Sequence, residues 1–170
     1  IHDEIEHIKS YLTIQKLRYR DRLDFSIDVD ESILRLRTPK VILQPLVENA
    51  IYHGIKNKEG GGHVTVCAGR VNGEVILSVG DDGVGMSEEQ MRTVLELTRE
   101  ERGLAGAHRG GASSAEDDGS ARRARVGVRN VHERVRLYFG DPYGLAFRPN
   151  NGSGTIVDVH LPVIGSEGES

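Results

Sequence analysis

The chain is poor in the residues that most often announce a chemistry. Among its 170 residues are one cysteine, two methionines and no tryptophan, and aromatics make up 5%. Cys67 has no partner for an internal disulfide, which sets aside the stapled secreted scaffolds and fits a reducing compartment. It sits inside a strand pattern with no histidine or second cysteine at metal-ligand spacing, and is read as a small core residue. His2, His7, His63, His108, His132 and His160 are scattered and suggest no zinc site. No apolar run approaches the roughly 20 residues that cross a bilayer, and no signal-peptide pattern is present. GxxxxGK[ST] and Gly-x-Ser-x-Gly are missing as well, which removes the P-loop and the hydrolase elbow. A net charge of −4 gives no global reason to expect nucleic acid or an acidic membrane as partner. The basic cluster ARRAR (121 to 125) closely follows EDD and reads as solvated, so no nucleic-acid partner is expected.

What is there suits one globular domain. The length allows a core of its own, and 37% hydrophobic with 28% charged residues is ordinary. The 21 glycines are about twice the usual share. The chain opens on Ile1 inside a helical pattern and is taken as a piece of something longer. Ile1, Ile5, Ile8 and Leu12 recur at helical spacing, giving an amphipathic helix over the first twenty or so residues. LDFSIDV (23 to 29) alternates strictly, as a half-buried strand does, and ILRLR (33 to 37) alternates as well. Thr38-Pro39 reads as a helix start, and Gly54 as that helix's left-handed cap. HVTVCAGR and EVILSVG flank Asn72-Gly73, a strong hairpin signal. Ser87 with Gln90 is a capping box opening a helix through MRTVLEL. VGVRNVHERVRLYFG gives another helix, capped by Gly140, and GLAFRPN with GTIVDVHLP a final hairpin around Asn151-Gly152. Residues 165–170 read as a frayed tail. No internal repeat is visible. This order predicts an α+β fold: a two-layer sandwich with one mixed, mostly antiparallel sheet and about three helices on one face.

Residues 99–125, rich in Gly, Ala, Ser and charge, lack apolar periodicity and read as a long loop. Four short stretches around it could carry chemistry. In LQPLVENAIYHG (43 to 54), Asn49 and His53 are four apart and so stack on one helix face, as do Gln44 and Glu48 on the next stripe. An amide oxygen there is a hard neutral ligand suited to Mg²⁺; equally, it belongs to the wet side of a helix. DDGVGM (81 to 86) puts a carboxylate at a strand end, able to accept from an exocyclic amine, or forms a simple turn. An EF-hand is excluded by the spacing of its acidic residues. RVGVRNV (125 to 131) sets a glycine at a helix mouth, where free N–H groups suit phosphate, or is a plain junction. NGSGT (151 to 155) is explained by a hairpin turn, with Thr155 the residue able to reach a ligand.

In this order the four stretches resemble the N, G1, G2 and G3 boxes of the GHKL ATP-binding superfamily. The match is nearest to the catalytic domain of bacterial sensor histidine kinases of the LytS/YesM type. DEIEHIKSYLTIQKLRYRDRL resembles that group's lead-in, and VRNVHERVRLYFGDPYGL its sequence after the loop. The resemblance implies a lead-in helix over 1–22, from an absent dimerisation domain, and an ATP-binding domain over 23–164 with a lid at 99–125. Asn49 would hold Mg²⁺ between ATP phosphates with His53 facing them, and Glu48 would polarise the attacking imidazole. Asp81 would accept from the adenine amine. Gly83, Gly85 and Met86 would shape the adenine pocket, Thr155 would support it, and Arg125, Gly127 and Val128 would lie along the phosphates. The domain would pass the γ-phosphoryl of ATP to a histidine on upstream dimerisation helices, for relay to a response-regulator aspartate. That implies a homodimer in the full-length protein, cytoplasmic and anchored to a bacterial membrane.

Departures from the pattern keep other readings open. Arg125 stands where the first glycine of the third box is expected, and Val128 where leucine is usual. Tyr52 replaces a phosphate-side lysine, leaving Lys56, Arg125 or Arg129 as substitutes. Pro45 replaces the glutamate base of hydrolysing relatives, so a hydrolytic ATPase ranks low. The alternatives are a nucleotide-responsive binding module without transfer activity, and a GHKL protein-serine kinase of the anti-sigma type.

Overall fold

A computed structural model describes residues 1–56, 58–87, 89–91 and 119–164, excepting the side chains of His53 and of 119–125. The expected lid is outside the described residues from 99 to 118, and so are the tail at 165–170 and MRTVLEL beyond Met91. Five strands form one sheet: β1 (Leu23–Val29), β2 (Gly62–Val71), β3 (Glu74–Asp81), β4 (Gly144–Pro149) and β5 (Thr155–Pro162), in the order β1-β2-β3-β5-β4. β1 runs parallel to β2, and the other pairs are antiparallel. The sheet is therefore mixed and mostly antiparallel, as the alternation predicted. Asn72 and Gly73 both take positive φ, 51° and 84°, and close the β2–β3 hairpin.

Register decides which residues meet the helices. Val75, Leu77, Val79 and Asp81 of β3 share one face by the two-residue period, with Val64 and Val66 of β2 and Val157 and Val159 of β5 beside them. Against this face pack α1 (His2–Tyr19), α2 (Leu43–Asn49) and α3 (Gly119–Phe139). Ile5, Ile8 and Leu12 of α1, Leu43, Leu46 and Val47 of α2, and Val128, Val131 and Val135 of α3 are all buried. Each such side chain contributes about 1.5–3 kcal/mol. No helix among the described residues is long and apolar enough to cross a membrane.

Five local expectations are corrected. ILRLR does not extend: a short 3₁₀ turn at Glu31–Ile33, its Ser32 N–H taken by the Asp30 carboxylate and its Ile33 N–H by the Asp30 carbonyl, leads into turns rather than a strand. α2 begins at Leu43 rather than at Thr38-Pro39, because its first donors are served from α1. The Glu4 carboxylate accepts the N–H groups of Val41, Ile42 and Leu43 at 2.5, 3.0 and 3.3 Å. Gly54 is no left-handed cap, since the helix runs through it as a π turn over Ala50–Ile55 that ends with Lys56 N–H on the Ile51 carbonyl at 2.9 Å. Cys67 is half-buried on the sheet face away from the helices, paired in register with Asp28 and Ser78. Two caps follow expectation: Ser87 and Gln90 exchange bonds of 2.8 and 3.2 Å, and Gly140 closes α3 at φ 73°. α3 starts at Gly119, so 119–125 is helical rather than loop.

Candidate nucleotide site

The two-residue period that buries Val75, Leu77 and Val79 carries Asp81, at the end of β3, into the same interior. It is 6% exposed. Its carboxylate accepts the N–H of Gly83 at 2.9 Å and that of Thr155 on β5, and burial pushes its pKa up to about 6 despite these donors. Thr155 is itself buried, and supports the site through its backbone.

Three glycines make the close packing around Asp81 possible. A Cβ on Gly54 would lie 2.6 Å from the Asp81 Cγ, so the π turn of α2 presses directly on the carboxylate. A side chain on Gly83 would overlap the Gly54 carbonyl, which accepts the Val84 N–H at 3.3 Å. Gly154, at φ 97°, would overlap the Asp81 carbonyl. Of the three, Gly83 alone stands in a ligand-suited stretch of the sequence as a candidate; Gly54 and Gly154 look like a cap and a turn there, and their role comes from distant chain meeting them. Gly85 also takes positive φ, 75°, beside Gly154, with Met86 half-buried after it.

The turn is braced from outside. Asp82 accepts the His63 N–H at 2.7 Å and pairs with Lys58 at 2.9 Å. Its carbonyl takes bonds from Lys58 Nζ (2.9 Å) and Ser153 Oγ (3.0 Å), while Asn150 Nδ2 donates to the Asp81 carbonyl at 2.8 Å. None of these braces had a signal in the sequence, because each joins residues that are remote in the chain.

Asn49 is 3% exposed, and its Oδ1 has no hydrogen-bond partner among the described residues. Glu48, one residue back, is elsewhere: it accepts from Gln44 Nε2 at 2.8 Å and adds its charge to burial in holding the Tyr11 hydroxyl of α1 up at about 12. Lys56 stands over the Tyr52 ring, 5.3 Å from its centre. Gly127 meets Pro45, to which an added Cβ would come within 3.1 Å, and Val128 points into the core. Arg129 pairs with Glu133 at 3.3 Å. The structure thus gathers Asp81, Gly83, Gly85 and Thr155 at one place and turns Glu48 towards α1; the side chains of His53 and Arg125 are outside the described residues.

Residues 36–164 match the model of the histidine kinase-, DNA gyrase B- and HSP90-like ATPases, and the chain belongs to that family. It is 30% identical over 162 residues to the sensor histidine kinase YesM of Bacillus subtilis, covering 95% of this chain and 23% of that protein. It is 31% identical to the sensor histidine kinase YpdA of Escherichia coli, covering 95% and 24%. The chain thus spans about a quarter of the length of these curated relatives. Among solved structures the fold resembles a nucleotide-free catalytic domain of histidine kinase ThkA, at TM-score 0.57 and 14% identity over 95% of this chain and 94% of that one. A mycobacterial sensor histidine kinase, MprB, gives 0.56 and 16% over 95% and 97%.

Proposed function

We propose that the chain is the ATP-binding catalytic domain of a two-component sensor histidine kinase. It would present the γ-phosphoryl of ATP to a histidine on dimerisation helices of the same protein, for relay to a response regulator, within a homodimer. The observation that carries this reading is Asp81, a carboxylate buried at a strand end whose donors among the described residues are backbone N–H groups. An adenine amine supplies the donor it lacks, and the glycines at 54, 83 and 154 let backbone close around the carboxylate and hold it in place.

Asn49 fits a Mg²⁺ ion on its own chemistry: its buried amide oxygen has no partner among the described residues, and hard neutral oxygens suit this metal. Mg²⁺, when bound, would supply charge neutralisation between phosphates. The chain's own residues would orient the nucleotide by its adenine end and keep the reacting end in line with an outside acceptor. Pro45 provides no base for water, and its ring is packed under Gly127, which supports transfer to a protein acceptor over hydrolysis.

The test is calorimetric titration with a non-hydrolysable ATP analogue, with and without Mg²⁺. Asp81→Asn is expected to lose roughly 1.5 kcal/mol or more of binding, as when a charge-assisted bond is removed, and Asn49→Ala to erase the Mg²⁺ dependence. A folded wild type that does not bind overturns the proposal. With upstream helices restored, acid-labile and base-stable phosphate is expected; acid-stable label would point to a serine kinase instead.

A further inference from the structure

The helix that carries Asn49 is begun by a residue of another helix. Ile42, at its N-cap position, makes no side-chain capping bond, and the three donors of Val41, Ile42 and Leu43 all go to Glu4 of α1. Glu4 is 8% exposed, and it lies beside Ile5 on the stripe that docks α1 on the core. A carboxylate at this end also meets the positive pole of the helix. Docking α1 and capping α2 are therefore one event.

The backbone at this corner is strained to reach its cap. Val41 has φ +59°, a left-handed conformation that a β-branched residue rarely adopts and that persists only where its surroundings enforce it. Those surroundings come from both sides. Glu4 holds the N–H groups, and Arg134 of α3 donates Nη1 to the carbonyls of Lys40 at 2.7 Å and Val41 at 3.4 Å. The corner at 40–43 is thus clasped by α1 and α3 together, while Asn49 follows six residues after Leu43, about 9 Å along a continuous helix.

We propose that Glu4 is a positioning residue for the nucleotide site, fixing the start of α2 and so the depth at which Asn49 is presented, which couples the docking of α1 to Mg²⁺-dependent nucleotide binding. The inference rests on the reading of Asn49 given above. Turning α1 by a single residue, about 100°, takes the carboxylate off all three donors and frees Val41 to relax. The start of α2 then loses its anchor, although Asp81 keeps the N–H groups of Gly83 and Thr155.

The test compares the full chain with Glu4→Gln, Glu4→Ala and, as a packing control, Ile8→Val. The readout is the ratio of affinities for a non-hydrolysable ATP analogue with and without Mg²⁺, together with amide exchange at Val41, Ile42 and Leu43. Glu4→Ala is expected to lower the ratio about tenfold, the size of a lost helix cap. Glu4→Gln, which keeps one accepting oxygen, should recover part of it, and Ile8→Val should lower thermal stability with the ratio unchanged. Exchange at the three amides should rise in both Glu4 variants. An unchanged ratio with raised exchange overturns the proposal, because the cap would then exist without positioning Asn49. If Glu4→Ala does not fold, Glu4→Gln decides by the same criterion. A folded wild type that binds no analogue removes the nucleotide reading and the coupling together; a wild type that binds, with Glu4 variants indistinguishable from it, removes the coupling alone.

Discussion

Asp81 and Asp158 lie on neighbouring strands of one sheet, are 6% and 8% exposed, and are satisfied in opposite ways. Asp158 faces the open side, where Arg148 Nε meets it at 2.6 Å and Ser78 Oγ donates at 2.5 Å. Asp81 faces the helices and receives backbone N–H groups; the nearby ammonium of Lys58 pairs with Asp82 instead. Among the described residues no cation pairs with Asp81. A buried charge with its own counter-charge belongs to the architecture. One left with neutral donors alone is held in an unfavourable state that an outside donor improves.

The largest effect is expected where the site leaves no room. Gly154→Ala places a methyl group against the Asp81 carbonyl at a φ of 97°, and should remove about 3 kcal/mol of stability in denaturant titration. Wild-type stability in this variant would mean that the turn is looser than its packing implies. Asp158→Ala comes next, removing about 1–2 kcal/mol because Arg148 is half exposed and already partly screened. Its nucleotide affinity should stay at the wild-type value; a tenfold change would erase the contrast between the two aspartates.

The smallest effect sharpens the contrast through pH. Asp81 has its folded pKa raised from 3.8 to about 6, so the folded chain holds this proton more tightly than the unfolded chain. That contribution to stability is full below the unfolded pKa and is lost as pH rises through about 6. Asp81→Asn should abolish this loss, about 1 kcal/mol after water screening, and should melt no lower than wild type at pH 7 while binding nucleotide more weakly. Thermal melts of both proteins between pH 4 and 7 check the sign. A wild type that gains on the variant as pH rises would show Asp81 to be better paired than Asp158.

The parts of this molecule written in short-range pattern were legible. The alternation through Val75, Leu77 and Val79 placed a strand and left Asp81 at its end; Asn72-Gly73 and Asn151-Gly152 marked both hairpins. What failed has a common cause. ILRLR keeps its alternation although Asp30 turns the chain just before it. Thr38-Pro39 has the composition of a helix start, yet the donors that need a cap are at 41–43, and the cap is some 37 to 39 residues away. Gly54 carries the signature of a helix end, but the approach of Asp81 is what requires it. Local propensity cannot report such meetings, since they exist only once the sheet has brought remote segments together.

The placing of β5 between β3 and β4 has a consequence for how the chain matures. Synthesis delivers this strand last of the five, yet it enters the middle of the sheet. Until it arrives β4 has no neighbour among the described residues, Asp81 lacks the Thr155 N–H, the Gly154 contact and the Asn150 brace, and Asp82 lacks the bond from Ser153. The donor set of the Asp81 carboxylate is therefore complete only once β5 lies between its two neighbours.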